Sequence, residues 1–316
     1  MARFIVRRLI AMVLVMFAVS VLTFLIFNVI PNGDPAARMA GKNSTPEQIA
    51  AIREDWGFDD PLWKQYLNTM GKVFSGDLIS YANRENVIDR IKDGAPRTFI
   101  LAIGAAIIWF VAGVAIGLFS AVKAGKASDR IVTVLALIGI SMPVFWLGAL
   151  MNYYLGYKLG LFPNGGYVPI ADGGVFEWLY HLILPWIALS ILFIGVYSRV
   201  VRSSVLDTIN DDYVRTARAK GIGERRVLRH HVLRNSLIPV ITLWGLDLGY
   251  VLGGGAILTE KVFGIQGVGG YFADSIGRLD VPPVMAVVLF GAFFIVLLNT
   301  IVDIVYALLD PRIRLS

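Results

Sequence analysis

Long uncharged apolar runs alternate with shorter polar segments along the chain. The first run, 9–31, follows Arg3, Arg7 and Arg8 and exceeds the roughly 20 residues that cross the hydrocarbon of a bilayer. It is longer than the apolar core of a signal peptide and lacks a small-residue cleavage site, so we predict a retained anchor over 1–31. Further apolar runs lie near 98–122, 131–157, 178–198, 235–258 and 281–302. The pattern predicts an all-α membrane protein with six transmembrane helices.

Composition agrees with this prediction. Hydrophobic residues make up 56% of the 316 residues, against the 45–50% typical of a soluble domain. The net charge of +6 could indicate nucleic-acid binding, but the basic residues cluster at the ends of apolar runs. The excess of Lys and Arg in cytoplasmic loops accounts for that placement. The absence of cysteine excludes disulfides, thiolate metal sites and cysteine nucleophiles.

The distribution of charge predicts the orientation of the spans. Lys123, Lys126 and Arg130 follow the second run, and Arg312 and Arg314 lie in the tail 310–316. These short basic segments are predicted to stay in the cytoplasm. Both chain termini are therefore expected inside, in the cytoplasmic membrane of a bacterium.

The polar segment 32–97 is predicted to form a helical insertion outside the membrane, between the first two spans. Thr45 precedes Pro46, and Gly57 ends the same stretch, which is a helix with start and stop signals. Asp60 stands before Pro61 in the same way at the next predicted helix. A weak strand is predicted near 78–81.

The segment 199–234 is the most basic part of the chain. Nine Lys or Arg residues oppose four acids there. Asn210 or Asp211 can cap a helix that Gly221 ends, and a second helix is predicted to begin near Gly223–Glu224. A helix, a glycine turn and a second helix on the cytoplasmic face would form a rigid docking surface.

Three features within the spans concern helix geometry, packing and polar pairing. Pro143 lies inside the third run and is predicted to kink or break it. Gly113-x-x-x-Gly117 in the second run lets a neighbouring backbone approach closely. Asp303, near the end of the last run, could pair with Asn299 one helical turn earlier.

Candidate residues for the translocation path lie in the fifth run. Asp247 is an ionisable group deep in a span, where such groups face a cavity or a polar partner. A path contact and a helix-to-helix hydrogen bond are equally consistent with its position. Gly253, Gly254 and Gly255 follow, and tight packing is favoured there over a gating hinge.

Several kinds of chemistry lack their sequence motifs. No GxxxxGK[ST] phosphate loop occurs, so the chain is not expected to hydrolyse ATP by itself. The run Gly264, Gly267, Gly269, Gly270 lacks the strand-turn-helix setting of a dinucleotide fingerprint. HExxH and GxSxG motifs are absent too, so we predict no metal site and no catalytic site.

Taken together, these motifs resemble the permease subunits of bacterial ABC importers of the peptide and nickel type. The 199–234 loop is similar to the EAA motif: Arg215-Thr216-Ala217-Arg218 occupies its Glu-Ala-Ala region and Gly221 its glycine. The general motif closes with Leu-Pro, whereas here the proline comes later, at Pro239, as in the peptide-type subgroup. The stretches "PNGDPAARMAG", "ISMPVFWLG", "GGGAILTEKVFGIQGVG" and "LLDPRIRL" also resemble that subgroup, more narrowly the first of its two paired permeases.

The resemblance implies a function and partners. The fold would be that of a type I ABC importer permease, with its core at 98–309 and a coupling loop at 199–234. It would form half of a path for di- or oligopeptides, beside a second permease. Two separate ATPase subunits would carry ATP and Mg²⁺, so this chain would need no cofactor, and an extracytoplasmic binding protein would deliver substrate. The residues implied in ATPase coupling are Tyr213, Arg215, Thr216, Ala217, Arg218, Lys220 and Gly221.

A second hypothesis is an ion-coupled secondary transporter or a channel that uses Asp247. It predicts transport driven by an ion gradient without ATP. Six spans without a clear repeat, and a single deep acid, favour it less. Peptides, nickel complexes, glutathione and other small solutes all stay open as substrates.

Overall fold

A computed structural model of the chain describes residues 2–29, 34, 36–37 and 45–309. Regular structure in these ranges is helical, and the strand predicted near 78–81 is reduced to an isolated bridge between Ile79 and Asn86. The stretch 31–41 lies mostly outside the described residues, as does the tail 310–316. In chain order the helices are α1 Ala2–Phe24, α2 Pro46–Trp56, α3 Leu62–Ser75, α4 Val87–Val122, α5 Ala127–Ser141, α6 Val144–Met151, α7 Ile170–Thr208, α8 Asp212–Ala219, α9 Glu224–Arg226, α10 Ile238–Tyr250, α11 Ile257–Val262, α12 Val268–Gly277 and α13 Val281–Leu309.

Wider π-helical turns extend several of these helices. They continue α1 over Leu25–Val29, α6 over Asn152–Lys158, α9 over Val227–Val232 and α10 over Val251–Gly255. One further α-helical turn, Leu233–Ser236, completes the arm that α9 begins.

Five of the helices are long and apolar enough to cross a membrane, within the described residues. They lie at Ile5–Phe27, Val87–Val122, Ile170–Thr208, Ile238–Gly255 and Val281–Ile304. A sixth span results if the pair Ala127–Ser141 and Val144–Lys158, bent by 98°, is counted as one. The break falls at Pro143, as predicted, because proline cannot donate to the helical ladder. The prediction of an all-α fold with six spans agrees with this arrangement.

Helices α4 and α7 form the centre of the bundle. Small residues on α4 let α7 approach: a Cβ on Gly113 would lie 2.5 Å from Cβ of Tyr197, and one on Gly117 would lie 2.6 Å from the Ser198 carbonyl oxygen. Trp109 is fully buried between them and stacks on Phe193 with ring centroids 4.3 Å apart. The predicted role of the Gly113-x-x-x-Gly117 motif in close packing is confirmed.

Two long helices begin before their apolar runs. Asn86 caps α4 with its side chain, which accepts from the Ile88 and Asp89 amides, so the helix starts eleven residues before the predicted span at 98. Helix α7 starts at Ile170 instead of 178, with a break in its helical backbone at Gly174 (φ 73°). Hydropathy misses these turns because they are polar; the Asn86 cap marks the start of α4, whereas Pro169 before α7 makes no side-chain cap bond.

We call the end of the bundle that carries α2, α3, α11 and α12 the cap end. Thr45 caps α2 in a capping box with Gln48, and Gly57 ends it at φ 68°, as predicted. Helix α3 differs from the prediction, since its cap residue is Pro61 without a side-chain bond. Asp60 instead binds Lys64 at 2.8 Å.

The opposite end, with the loop after α4 and the segment 199–236, is the basic end. Here Arg8 of α1 forms an ion pair with Asp303 of α13 at 2.8 Å. The predicted pairing of Asp303 with Asn299 is therefore replaced by a contact between the first and last helices. At the cap end, α1 contacts α3 through a 2.7 Å hydrogen bond between the Ser20 and Tyr66 hydroxyls.

Candidate functional site

The basic segment folds into a compact helix-turn-helix block. Helix α8 begins after Asp211, and Gly221 at φ 76° turns the chain before α9 starts at Glu224. These bounds match the prediction from the sequence, but Asp211 stands at the N-cap position without a side-chain cap bond. The side chains of Val214 and Ala217 on α8 and of Val227 and Val232 on the α9 arm are buried together in the core. The block therefore has an apolar interior that is continuous with the core of the bundle.

An ion pair closes the block from outside. The Arg218 guanidinium donates to both carboxylate oxygens of Glu224, at 2.8 and 3.1 Å, and to the Ile209 carbonyl at 3.4 Å. This pairing lowers the pKa of Glu224 and raises that of Arg218. Arg218 thus links α8 to the start of α9 and to the end of the chain segment before α8.

A second clamp joins the start of α8 to the end of the arm. The Tyr213 hydroxyl donates to the His231 carbonyl at 3.2 Å and accepts from Asn235 Nδ2 at 2.7 Å. Thr216 donates to the Asp212 carbonyl of its own helix. Both hydroxyls have partners inside the block.

The candidate coupling residues therefore occupy two environments. Ala217 is only 5% exposed and packs inward. The others lie at the surface: Tyr213, Arg215, Thr216, Arg218, Lys220 and Gly221. Of these, Arg215 has only a 3.5 Å contact with Asp212, so its charge is turned to solvent.

One pair of hydrogen bonds joins the block to α7, and an ion pair then joins α7 to α5. Ser204 of α7 and Ser236 each donate to the other's carbonyl oxygen, at 3.0 and 3.2 Å. Arg202 forms two 2.8 Å bonds with the buried carboxylate of Asp129 on α5. That carboxylate also accepts from the Ser120 hydroxyl and the Gly125 amide. Sequence reasoning missed this cluster, although a single acid among Lys123, Lys126 and Arg130 was a signal for it.

The path candidates on α10 contact different neighbours. Asp247 is half-buried and accepts a 2.8 Å bond from the hydroxyl of Tyr197 on α7. This is the helix-to-helix bond that the sequence left open. Gly253 faces α13, where a Cβ would lie 2.4 Å from Ile295. Gly254 has φ 144° and Gly255 packs against Tyr250, so the run forms an irregular, close-packed turn.

The cap end holds a buried carboxylate that sequence reasoning did not single out. Glu260 is 0% exposed and accepts from the Thr98 hydroxyl at 2.7 Å and from the Gly269 and Gly270 amides at the start of α12, the latter at 2.8 Å. Thr98 in turn accepts from the Val268 amide at 2.9 Å. The first amides of a helix lack partners within the helix and favour a negative charge. Burial nevertheless raises the pKa of Glu260 to about 7.

The glycines near Glu260 make room for this carboxylate. A Cβ on Gly267 would lie 2.5 Å from Glu260 Oε2, and one on Gly269 would lie 3.0 Å from it. The glycine run that superficially resembled a dinucleotide fingerprint instead surrounds the Glu260 side chain. We call this arrangement the Glu260 cradle. Glycine spacing alone could not reveal this, because Thr98 and Glu260 lie far apart in the sequence.

Comparison with known proteins assigns the chain to a family. Residues 113–315 match the binding-protein-dependent transport system inner membrane component, and residues 1–102 match the N-terminal domain of the same membrane components. The chain therefore belongs to this family of transport permeases and is a multi-pass membrane protein.

Individual relatives cover the whole chain. The dipeptide transport system permease protein DppB of Escherichia coli K12 is 37% identical over 99% of this chain and 99% of its own. The probable peptide ABC transporter permease protein y4tP of Sinorhizobium fredii is 35% identical over 99% and 100%. The glutathione transport system permease protein GsiC of Escherichia coli K12 is 36% identical over 99% of each. A solved amino acid ABC transporter with histidines matches 71% of this chain and 94% of its own at 15% identity, with a TM-score of 0.48.

The family is one of permease components, which the sequence analysis also identified by resemblance. Among the described residues, no group of three His, Cys, Asp or Glu side chains could hold a metal ion. The polar clusters found here are closed by hydrogen bonds within the chain, as at Glu260 and Asp129. Their arrangement suits mechanical connection between helices.

Proposed function

We propose that this chain is one half of the membrane path of an ATP-driven importer, paired with a second homologous permease. The basic end faces the cytoplasm with both termini, in the inner membrane of a bacterium. Two separate ATPase subunits bind ATP and Mg²⁺ and dock on the 199–234 loop. The chain itself catalyses no reaction and binds no cofactor.

The construction of the basic block is the observation that carries this proposal. Val214 and Ala217 pack its helices together in the core, and the Arg218–Glu224 pair and the Tyr213 hydrogen bonds link them at the surface. A block that keeps its shape can transmit a push as a rigid body. Arg215 and Lys220 are exposed on it and suit a groove with acidic groups.

The connections to the bundle define which helices a displacement of the block would move. The Ser204–Ser236 pair joins the block to α7, and the Arg202–Asp129 pair joins α7 to α5. A displacement of the block by closing ATPases would therefore move both helices together. The central packing of α4 against α7 would carry the motion towards the cap end.

Peptides are the proposed substrates, because two of the relatives described above carry dipeptide or peptide transport in their names. A relative named for glutathione, itself a modified tripeptide, is similarly close. We propose that the segments at the cap end, including 32–97 and 259–283, receive the extracytoplasmic binding protein that delivers the substrate.

Coexpression with the second permease and the two ATPases tests the docking. Reversing the exposed charges in Arg215→Glu/Lys220→Glu should lower the ATPase recovered with a tag on this chain at least tenfold, because the loop would then repel an acidic groove. The matched control Lys64→Glu/Lys92→Glu reverses two exposed charges near the cap end and should leave recovery unchanged. Equal recovery with both double variants would refute docking through this loop.

Labelling tests the orientation. The chain has no cysteine, so Lys220→Cys and Lys92→Cys each introduce a unique thiol. A membrane-impermeant maleimide should label position 92 in spheroplasts and position 220 only after permeabilisation. The reverse pattern would place the basic block outside and overturn the proposal.

A further inference from the structure

A cavity of about 470 Å³ lies at the cap end, between α4 and the segment from α11 to α12. Its volume is within the roughly 300–1,000 Å³ of small-molecule sites. Asp93 and Arg97 of α4 line one side, and Lys261, Gln266 and Tyr271 line the other. The walls are mainly polar and carry both signs of charge.

Most charged groups around the cavity are compensated within the chain. Lys261 pairs with Asp274, and Arg90 makes a 3.5 Å contact with Glu85. Asp93 has no ion pair and Arg97 has no carboxylate within 4 Å, among the residues that the structure describes. One anion and one cation in the same cavity are thus left for another molecule.

Asp and Arg four residues apart on a helix are close enough to pair, but Asp93 and Arg97 do not. Arg97 is held elsewhere: it donates to the Gln266 carbonyl at 3.0 Å and to Gln266 Oε1 at 3.3 Å. Its guanidinium also lies 5.4 Å from the centroid of the Tyr167 ring. The protein therefore orients the Arg97 guanidinium before any ligand binds. The Asp93 carboxylate has no ion-pair partner among the described residues.

The backbone between these two residues is fixed. A Cβ on Gly94 would lie 3.0 Å from the Gly267 carbonyl carbon, so α4 presses directly on the chain before α12. The Glu260 cradle holds the start of α12 in the same place. The backbone positions of Asp93 and Arg97 on α4 are consequently set by rigid elements.

We propose that this cavity is a transit site for the zwitterionic form of a short peptide, with its carboxylate at Arg97 and its ammonium group at Asp93. The inference rests on the proposed function, which places the cap end outside. Four residues of helix rise about 6 Å. Two residues of extended peptide span about 7 Å, so a dipeptide is about as long as the helix rise between Asp93 and Arg97.

The test uses the full transporter with its binding protein in proteoliposomes, with Ala-Ala as the probe. Uptake and binding-protein-stimulated ATP hydrolysis are measured together. Arg97→Gln and Asp93→Asn should each lower uptake at least fivefold while ATP hydrolysis stays within twofold, since the path and not the docking is impaired. Arg97→Lys should keep more than half of the uptake. Lys92→Gln, an exposed neighbour outside the cavity lining, should match wild type.

Three other outcomes of this experiment would contradict the transit site or the proposed function. A parallel loss of uptake and ATP hydrolysis would make the cavity a docking site for the binding protein and overturn the transit site. Unchanged uptake in both variants would also overturn it while leaving the proposed function intact. If the wild-type transporter takes up no dipeptide, the peptide substrate of the proposed function fails instead.

Discussion

The basic block and the Glu260 cradle stabilise ionisable side chains in opposite ways. The block pairs Arg218 with Glu224, six residues away, at a surface where both side chains are more than a third exposed. The cradle buries Glu260 completely and satisfies it with Thr98, which lies 162 residues earlier, and with helix amides. The first contact joins residues close in the sequence at a solvent-exposed surface. The second joins residues far apart in the sequence at a buried site.

This difference decides which of the two sites tolerates substitution of its side chains. An exposed ion pair contributes little to stability, because water and salt screen it. A buried carboxylate depends on every partner, because an unmade hydrogen bond cannot be replaced by water. The surface charges of the basic block can therefore vary to suit a partner, whereas the Glu260 cradle is sensitive to the loss of single polar atoms.

The largest expected effect comes from removing the buried carboxylate. Glu260→Ala leaves the Thr98 hydroxyl and the Gly269 and Gly270 amides without an acceptor, at about 1–3 kcal/mol each. We expect the free energy of unfolding to fall by at least about 3 kcal/mol. Denaturant titration in detergent measures it, and the exposed Glu47→Ala is the control. A loss no greater than in the control would remove the special role of the cradle.

A pH series sharpens the same contrast. The folded-state pKa of Glu260, about 7, lies above its ordinary 4.5, so the folded state binds the proton more tightly than the unfolded state. Stability from this group is present below about pH 4.5 and is lost as the pH rises through about 7, by up to about 3 kcal/mol. Glu260→Gln should flatten this slope in denaturant titrations at several pH values. An identical slope in wild type and variant would assign it to other groups.

Two glycine substitutions compare the ends directly. Gly267→Ala places a methyl group 2.5 Å from Glu260 Oε2, and overpacking of this kind costs about 2 kcal/mol. Gly223→Ala at the basic end meets nothing within 4 Å and should change stability by less than about 0.5 kcal/mol. Both are read by the same denaturant titration. Similar losses at both positions would mean that the cradle is not tightly packed.

The smallest expected effect is at the exposed clamp. Arg218→Ala should lower the free energy of unfolding by about 0.5–1 kcal/mol, with the effect shrinking at high salt. Arg229→Ala, exposed on the same block, serves as the control. A loss above about 2 kcal/mol that persists at high salt would show that the basic end depends on its charges as strongly as the cap end does.

The sequence predicted most of what depends on neighbouring residues. The cap at Thr45, the stop at Gly57, the turn at Gly221 and the break at Pro143 are all as predicted, because each is encoded within a few residues. The polar start of α4 was missed because hydropathy registers only its apolar part. Asp303 was assigned to a neighbour on its own helix, whereas its partner, Arg8, lies at the other end of the chain.

The sequence alone thus determined the helical class, the spans, the basic block and the family, since apolar periodicity and short motifs are local properties. Only the tertiary structure decided the partners of Glu260, Asp129 and Asp247, and the separation of Asp93 from Arg97. The physical reason is that a buried or oriented charge is stabilised by whatever donors the fold brings to it. Those donors come from helices that are far apart in the chain, and nothing in the sequence indicates that these helices are in contact.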